Sequence, residues 1–306
     1  MRSILLWCAR NSWLRRTIPR LPFAQRAVRR FMPGEDMEDA LRAAGDLQAR
    51  GIPSIFTHLG ENLAELSQAK EVAAHYRELI DRFARWGLRP DVSPKLTQLG
   101  LDHDPDTTFR LASGLARQTH AAGGRFWMDM EDSSYVDATL DLYQRLLAVQ
   151  PGIGVCLQAY LHRTPADVER LLPLGAGVRL VKGAYNEPSD RALRDKSDVN
   201  VAFRDLALRM LPAAAAGRLR LGLGTHDVEL VKTIAATAAE AGIRKEAFEV
   251  QMLYGIRVDQ QHRLRAEGYR VRVLIAYGDY WYPWYVRRLA ERPANLWFAL
   301  RQLLPW

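Results

Sequence analysis

Cysteine is nearly absent: Cys8 and Cys156 are the only two in 306 residues. That excludes a disulfide framework and makes a reducing, cytosolic home the expectation. No apolar run approaches the roughly 18 residues needed to span a bilayer, which excludes an integral membrane protein. The seven histidines show no His-x-His and no helical His-x-x-x-His spacing, so no metal site is expected. Residues 1–30 contain no acid at all but eight arginines, and the remainder of the chain then holds 35 basic against 35 acidic residues. The net charge of +8 is therefore the property of one short arm. A nucleic-acid enzyme carries its basic surface where its substrate lies; the body here is formally neutral, and nucleic acid is not an expected partner.

The arm interleaves Trp13, Leu14, Ile18 and Leu21 with arginines, and its apolar stretch Ile4–Cys8 is too short for a secretory core. Such a segment suits the surface of an anionic membrane. It equally suits a capping helix packed under the fold with solvated arginines. Pro19 and Pro22 rule out one long helix. The division expected is a basic arm at 1–32 and a catalytic barrel at 33–306.

From Glu35 onward two textures alternate. Helical periodicity runs from Glu35 to Gly51, from Ser133 to Val149 and from Val228 to Ala241. Between such stretches lie β-type runs at Pro53–Thr57, Val92–Leu96, Arg125–Asp129, Ile153–Gln158, Val178–Val181, Leu219–Thr225, Phe248–Met252 and Val271–Ala276. Eight strand–helix units with no second texture predict an α/β chain folded as a (β/α)8 barrel of the TIM type, with N-terminal helices. Gly222-Leu223-Gly224 lacks the third glycine of a dinucleotide loop and does not follow the first strand, so a Rossmann domain is not expected. Pro94 fits poorly inside strand two, because it removes a ladder donor.

In a barrel the side chains at the carboxyl ends of strands line the active-site mouth. Those positions carry Lys95, Asp129, Glu131, Gln158, Arg179, Lys182, Tyr185, Thr225, His226, Asp227 and Leu253. Ionised residues amid apolar runs are costly unless paired or functional. Lys95, Arg179 and Lys182 outnumber Asp129, which predicts a cavity for anions. Arg287 and Arg288, in a helix over Trp281–Glu291, form a guanidinium pair suited to a carboxylate or phosphate. Lys182 at a strand end also fits a Schiff-base lyase.

Pro94-Lys95-Leu96-Thr97-Gln98-Leu99-Gly100, Met128-Asp129-Met130-Glu131-Asp132, Arg179-Leu180-Val181-Lys182-Gly183-Ala184-Tyr185 and Thr225-His226-Asp227 resemble, in order, the proline dehydrogenase family. So do Gln251-Met252-Leu253-Tyr254-Gly255 and Trp281-Tyr282-Pro283 with Arg287-Arg288-Leu289-Ala290-Glu291-Arg292-Pro293. The likeness runs from about Pro33 to the C-terminus and is nearest the monofunctional bacterial type. The resemblance implies a distorted barrel holding FAD, oxidation of L-proline to 1-pyrroline-5-carboxylate, and electrons passed to a quinone at the inner face of the plasma membrane. It places the flavin against Met130, Gln158, Arg179, Lys182, Gly183, Ala184, Thr225 and His226. It gives the substrate carboxylate to Lys95, Arg287 and Arg288, and puts Asp129, Tyr185 and Leu253 near the ring, with Asp129 and Arg179 as the catalytic pair. Ala276 stands where the family pattern has proline, and two further positions depart where tyrosines are usual: Leu274 and Trp284. Both fall in the wall that senses ring size, so another cyclic amino acid, such as hydroxyproline or pipecolate, is the alternative substrate.

Overall fold

A computed structural model describes residues 7–8, 11–18, 21, 24, 28–60 and 62–291; the side chains of residues 12, 15, 16 and 287–291 lie outside that description. Seven strands form one parallel sheet: β1 Ser54–His58, β2 Trp127–Met128, β3 Gly154–Gln158, β4 Gly177–Val181, β5 Arg220–Gly224, β6 Phe248–Leu253 and β7 Arg270–Tyr277. Their order is β1-β7-β6-β5-β4-β3-β2, so sequence neighbours pair throughout and β1 meets β7. The remaining gap, between β1 and β2, is closed by a single residue: Val92 bridges Phe56 on one side and Phe126 on the other. Val92 is thus the eighth stave of the barrel.

The sequence reading placed a full strand at Val92–Leu96 and a longer one at Arg125–Asp129; both are shorter in the fold. Pro94 supplies the reason for the first. It has no N–H for a ladder, yet its carbonyl accepts from the Asp129 amide at 3.1 Å. The backbone therefore stays beside β2 without continuing as strand, and a 3-10 turn follows at Thr97–Leu99. Closure is kept by Ser93 N–H to Phe56 carbonyl at 2.8 Å and Trp127 N–H to Val92 carbonyl at 2.8 Å.

Helices cover the sheet: α1 Ser12–Thr17, α2 Met37–Ala49, α3 Leu66–Arg85, α4 Pro105–Ala121, α5 Val136–Val149, α6 Thr164–Leu171, α7 Lys196–Ala215, α8 Val228–Glu240, α9 Val258–Ala266 and α10 Trp281–Glu291. Their starts carry recognisable signals. Asp104 caps α4, with Pro105 in its first turn; Glu65 and Gln68 form a capping box on α3. The predicted helix at Ser133 opens as a 3-10 turn over Ser133–Tyr135 before α5 begins.

Two helices have exchanged the places a regular barrel would give them. α2 packs against β7 and β1, the outer wall that the last helix normally covers. α10 lies instead over the carboxyl ends of those strands, in an apolar cluster with Leu59 and Ala276. The described arm residues Ala24, Val28, Phe31 and Met32 are buried in that same cluster. These four residues thus pack at the mouth end, on α10.

The barrel floor is ionic. Arg272 on β7 donates to Glu249 on β6 at 2.8 Å and meets Asp91 at 3.1 Å, while Arg220 on β5 reaches Glu249 at 3.0 Å. Burial pushes the Asp91 carboxyl up, against the pull of Arg272 and Arg220. For Glu249 burial pushes the same way, but the two arginines prevail and hold it below the ordinary value. A sealed, paired floor leaves the opposite end as the open one.

Candidate active site

Arg179 is the pivot of the mouth. It sits within β4, is buried, and stacks its guanidinium 5.5 Å from the Trp127 ring centroid. Its Nη2 donates to the Ser93 hydroxyl at 2.8 Å and, at shorter range, to Asp129 Oδ1. The Ser93 hydroxyl in turn donates to the same Asp129 oxygen at 3.3 Å. Burial alone would lower the Arg179 pKa; the facing carboxylate overrides it and holds the guanidinium firmly charged.

Lys182 directly follows β4. Its Nζ donates to Asp227 Oδ2 at 2.8 Å and Asn200 Oδ1 at 2.6 Å. Asp227 also caps α8, accepting from Leu230 N–H at 3.3 Å. The Lys182 Nζ is thus occupied by two side-chain oxygens of the protein, where a Schiff-base enzyme would present the amine to its substrate. Arg179 and Lys182 are both paired with carboxylates, Asp129 and Asp227, so their number alone does not measure the charge they offer an anion.

Two carboxylates that the sequence reading left without a role tie the mouth loops together. Glu131 is buried and accepts from Thr97 N–H at 3.1 Å and Thr97 hydroxyl at 2.7 Å, fixing the turn that follows Lys95. Glu187 is buried and accepts from Ser133 N–H at 2.7 Å and from the Ser133 hydroxyl, fixing the loop that carries Lys182 to Tyr185. Ser93, Glu187 and Thr97 gave no periodic or charge signal in the sequence; the buried partner is visible only once the barrel closes.

The other expected residues fall where a barrel mouth requires. Met130 is buried beside Asp129, and Lys95 is half-buried after Val92. Thr225 and His226 follow β5, with His226 Nε2 accepting from the Leu253 amide at 3.4 Å. Gly183, Ala184 and Tyr185 are half-buried after β4. Gly183 has φ +114°, and a Cβ there would lie 2.2 Å from the Tyr160 ring, so only glycine fits. Leu274 is the half-buried residue in an otherwise closed stretch of β7, and with Trp284 it packs against the α10 cluster. Arg287 and Arg288 lie on α10, but their side chains are outside the described residues, so their grip on a carboxylate is not placed.

Among the buried polar atoms at this end with no hydrogen-bond partner among the described residues are Gln158 Oε1 and Arg179 Nη1. They sit on neighbouring strands, where Gln158 Nε2 is anchored on the Glu131 carbonyl at 3.0 Å. Buried groups of this kind are costly unless a ligand satisfies them. A guanidinium donor and an amide oxygen match the acceptor and N–H edge of a flavin ring. The residues present fit the group. No cluster of metal-ligating side chains exists among the described residues.

A family model described as proline dehydrogenase matches residues 40–301. Proline dehydrogenase 1 of Bacillus subtilis subsp. natto is 33% identical over 307 residues, covering 99% of this chain and 99% of that protein. The proline dehydrogenase of Deinococcus radiodurans is 37% identical over 280 residues, covering 90% of this chain and 89% of its own. Among solved structures, proline utilization A from Bdellovibrio bacteriovorus inactivated by N-propargylglycine superposes with a TM-score of 0.82 at 22% identity. It covers 94% of this chain, which spans 38% of that larger one.

Proposed function

The chain belongs to the proline dehydrogenase family of flavoenzymes, and on that footing we propose that it oxidises L-proline to 1-pyrroline-5-carboxylate with FAD as its flavin. When bound, FAD supplies the two-electron acceptor for the hydride on the carbon beside the ring nitrogen. Gln158, Arg179 and the Lys182–Ala184 backbone would hold it, with Met130, Thr225 and His226 completing the pocket. The chain's own work is to orient and to manage charge. Lys95, with Arg287 and Arg288, takes the carboxylate; Leu253, Tyr185 and Leu274 with Trp284 confine the ring. The ring nitrogen must lose its proton to solvent before the hydride can leave the neighbouring carbon. Asp129, already bound by Arg179 and Ser93, serves to fix Arg179 in place as a permanent positive charge rather than to collect that proton. A charged Arg179 stabilises negative charge gathering above it.

The observation that carries this reading is the buried Arg179, locked on one side by Asp129 and Ser93 and open at Nη1 on the other. Its test is the absorption spectrum of the purified protein before and after L-proline under anaerobic conditions. A yellow protein bleached by proline is expected. A colourless protein that takes up no offered FAD would end the proposal.

A second reading keeps the chemistry and changes the ring. Leu274 is the half-buried residue of β7, and it shares its cluster with Trp284. Proline, 4-hydroxyproline, pipecolate and azetidine-2-carboxylate compared side by side decide the matter; proline ahead by a wide margin removes the second reading. The electron acceptor is proposed to be a quinone. No helix among the described residues is long and apolar enough to cross a membrane, so access to it would be peripheral. Trp7 and Trp13, 62% and 64% exposed on the arginine-rich arm, support a contact with an anionic membrane surface.

A further inference from the structure

Regular pairing between β1 and the Val92 stave stops one step short of Lys95, and a side chain fills the missing step. Phe56 N–H donates to the Asp91 carbonyl at 2.9 Å, and Ser93 N–H donates to the Phe56 carbonyl at 2.8 Å. These are successive bonds of a parallel ladder, in which every second residue of β1 serves the stave. One step further, the same pattern would send His58 N–H to the Ser93 carbonyl and Lys95 N–H to the His58 carbonyl. Both donors are routed elsewhere. His58 N–H donates to the Tyr76 hydroxyl at 2.9 Å. Lys95 N–H donates to Gln98 Oε1 at 3.2 Å, and Gln98 Nε2 donates to the His58 carbonyl at 2.9 Å. The Gln98 carboxamide is spliced between the donor and the acceptor of the next rung.

The slot fits a carboxamide. Gln98 is 1% exposed, and its partners fix which end is which: only the oxygen can accept from Lys95, and only the amino group can donate to the His58 carbonyl. Gly60 lies against it, where a Cβ would come within 2.8 Å of Nε2. The turn that carries Gln98 is held separately, by Thr97 on Glu131. On the far flank Asp129 N–H donates to the Pro94 carbonyl at 3.1 Å. The Lys95 backbone is therefore braced from both sides, and on the β1 side the brace is Gln98. We infer that Gln98 is a positioning residue for substrate binding: its carboxamide replaces a sheet rung, holds the Lys95 backbone at the mouth and so sets the grip of Lys95 on the substrate carboxylate. The inference rests on the assignment of Lys95 to that carboxylate in the proposed function.

The test uses the full chain loaded with FAD. Gln98→Met keeps the length of the side chain and loses both bonds. It should raise KM for L-proline about tenfold and change kcat less than about twofold, the pattern of a grip shared by ground and transition states. Lys95→Met should raise KM at least as far, and the Gln98→Met/Lys95→Met double variant should be no worse than Lys95→Met, because Gln98 acts only through Lys95. Gln98→Glu keeps the acceptor for Lys95 but sets a second acceptor against the His58 carbonyl. A buried carboxyl resists ionisation and, once protonated, donates again, so KM relative to wild type should recover as pH falls from 8 to 6. Hydrogen exchange across residues 93–99 should quicken in Gln98→Met and not in Lys95→Met. Should Gln98→Met fail to fold, Gln98→Glu at pH 8 takes its place in the cycle and in the exchange comparison. Effects that multiply in the double variant, exchange indifferent to residue 98, or a Lys95→Met protein with unchanged KM would each overturn the role. A wild-type protein inert toward proline instead fails the oxidase reading, and exchange then still decides whether the rung exists.

Discussion

His58 ends β1 at the mouth, its ring centroid 4.2 Å from that of His75, whose Nε2 lies 2.8 Å from the Tyr277 hydroxyl. Burial, then the neighbouring His75, push the His58 pKa down to about 4, with Asp279 pulling weakly the other way. His75 is lowered too, again by burial first. A folded-state value near 4 against 6.5 in the unfolded chain means that, between those pH values, the unfolded chain takes up the extra proton. Stability therefore falls as pH drops from 6.5 toward 4, by about 3 kcal/mol for the full shift. Residue 58 is held by its backbone: its N–H donates to the Tyr76 hydroxyl and its carbonyl accepts from Gln98. His58→Phe keeps both bonds and removes the titration. Urea unfolding across pH 4–7 should show a flatter acid limb for the variant; an unchanged limb would assign the acid sensitivity elsewhere.

At the scale of elements, the loop from Lys182 to Asp195 is the part of the mouth that sequence periodicity could least describe. It contains no regular element, only the antiparallel bridge of Ala192 to Leu161, and depends on Glu187 reaching Ser133. Hydrogen bonds to a buried carboxylate contribute about 1.5–3 kcal/mol each. Glu187→Ala should therefore speed hydrogen exchange across residues 186–194 by at least tenfold while β3 and β5 keep their protection. Glu187→Gln, which retains an acceptor for the Ser133 amide, should fall between. Equal exchange in all three proteins would show that the loop is held by other means. The strands, by contrast, were legible: β1 and β3 to β7 begin and end within two residues of the apolar runs at Pro53–Thr57 through Val271–Ala276. Their β-branched content and helical separators are local signals. The Val92 stave and the pairing of Asp91 and Glu249 with Arg272 were not legible, because each depends on segments far apart in sequence. The same holds for the site. Lys182 and Arg179 stood out as charges in strands, whereas the carboxylates that neutralise them could be assigned only in three dimensions.

For the whole molecule, the consequential departure from a regular barrel is the exchange between α2 and α10. Because α2 fills the wall at β7 and β1, α10 is free to roof the mouth, where it carries Trp284 and the backbone of Arg287 and Arg288. A roof needs an anchor on its outer side, and the arm provides it. Phe31 meets Tyr285 with ring centroids 5.5 Å apart, and Trp281 Nε1 donates to Glu35 at 2.7 Å, tying the first two turns of α10 to the segment before α2. Truncating a buried phenylalanine costs about 3–5 kcal/mol, and at Phe31 that loss falls first on the cluster that joins α10 to Leu59 and Ala276, which is distinct from the main barrel core. Phe31→Ala should thus raise KM for the amino-acid substrate several-fold, leave the flavin spectrum intact and lower the main unfolding midpoint little. If KM stays unchanged while the whole protein loses stability, α10 is an integral part of the barrel rather than an independently anchored roof. If the flavin is lost together with substrate affinity, the arm supports the cofactor pocket as well as the lid above it.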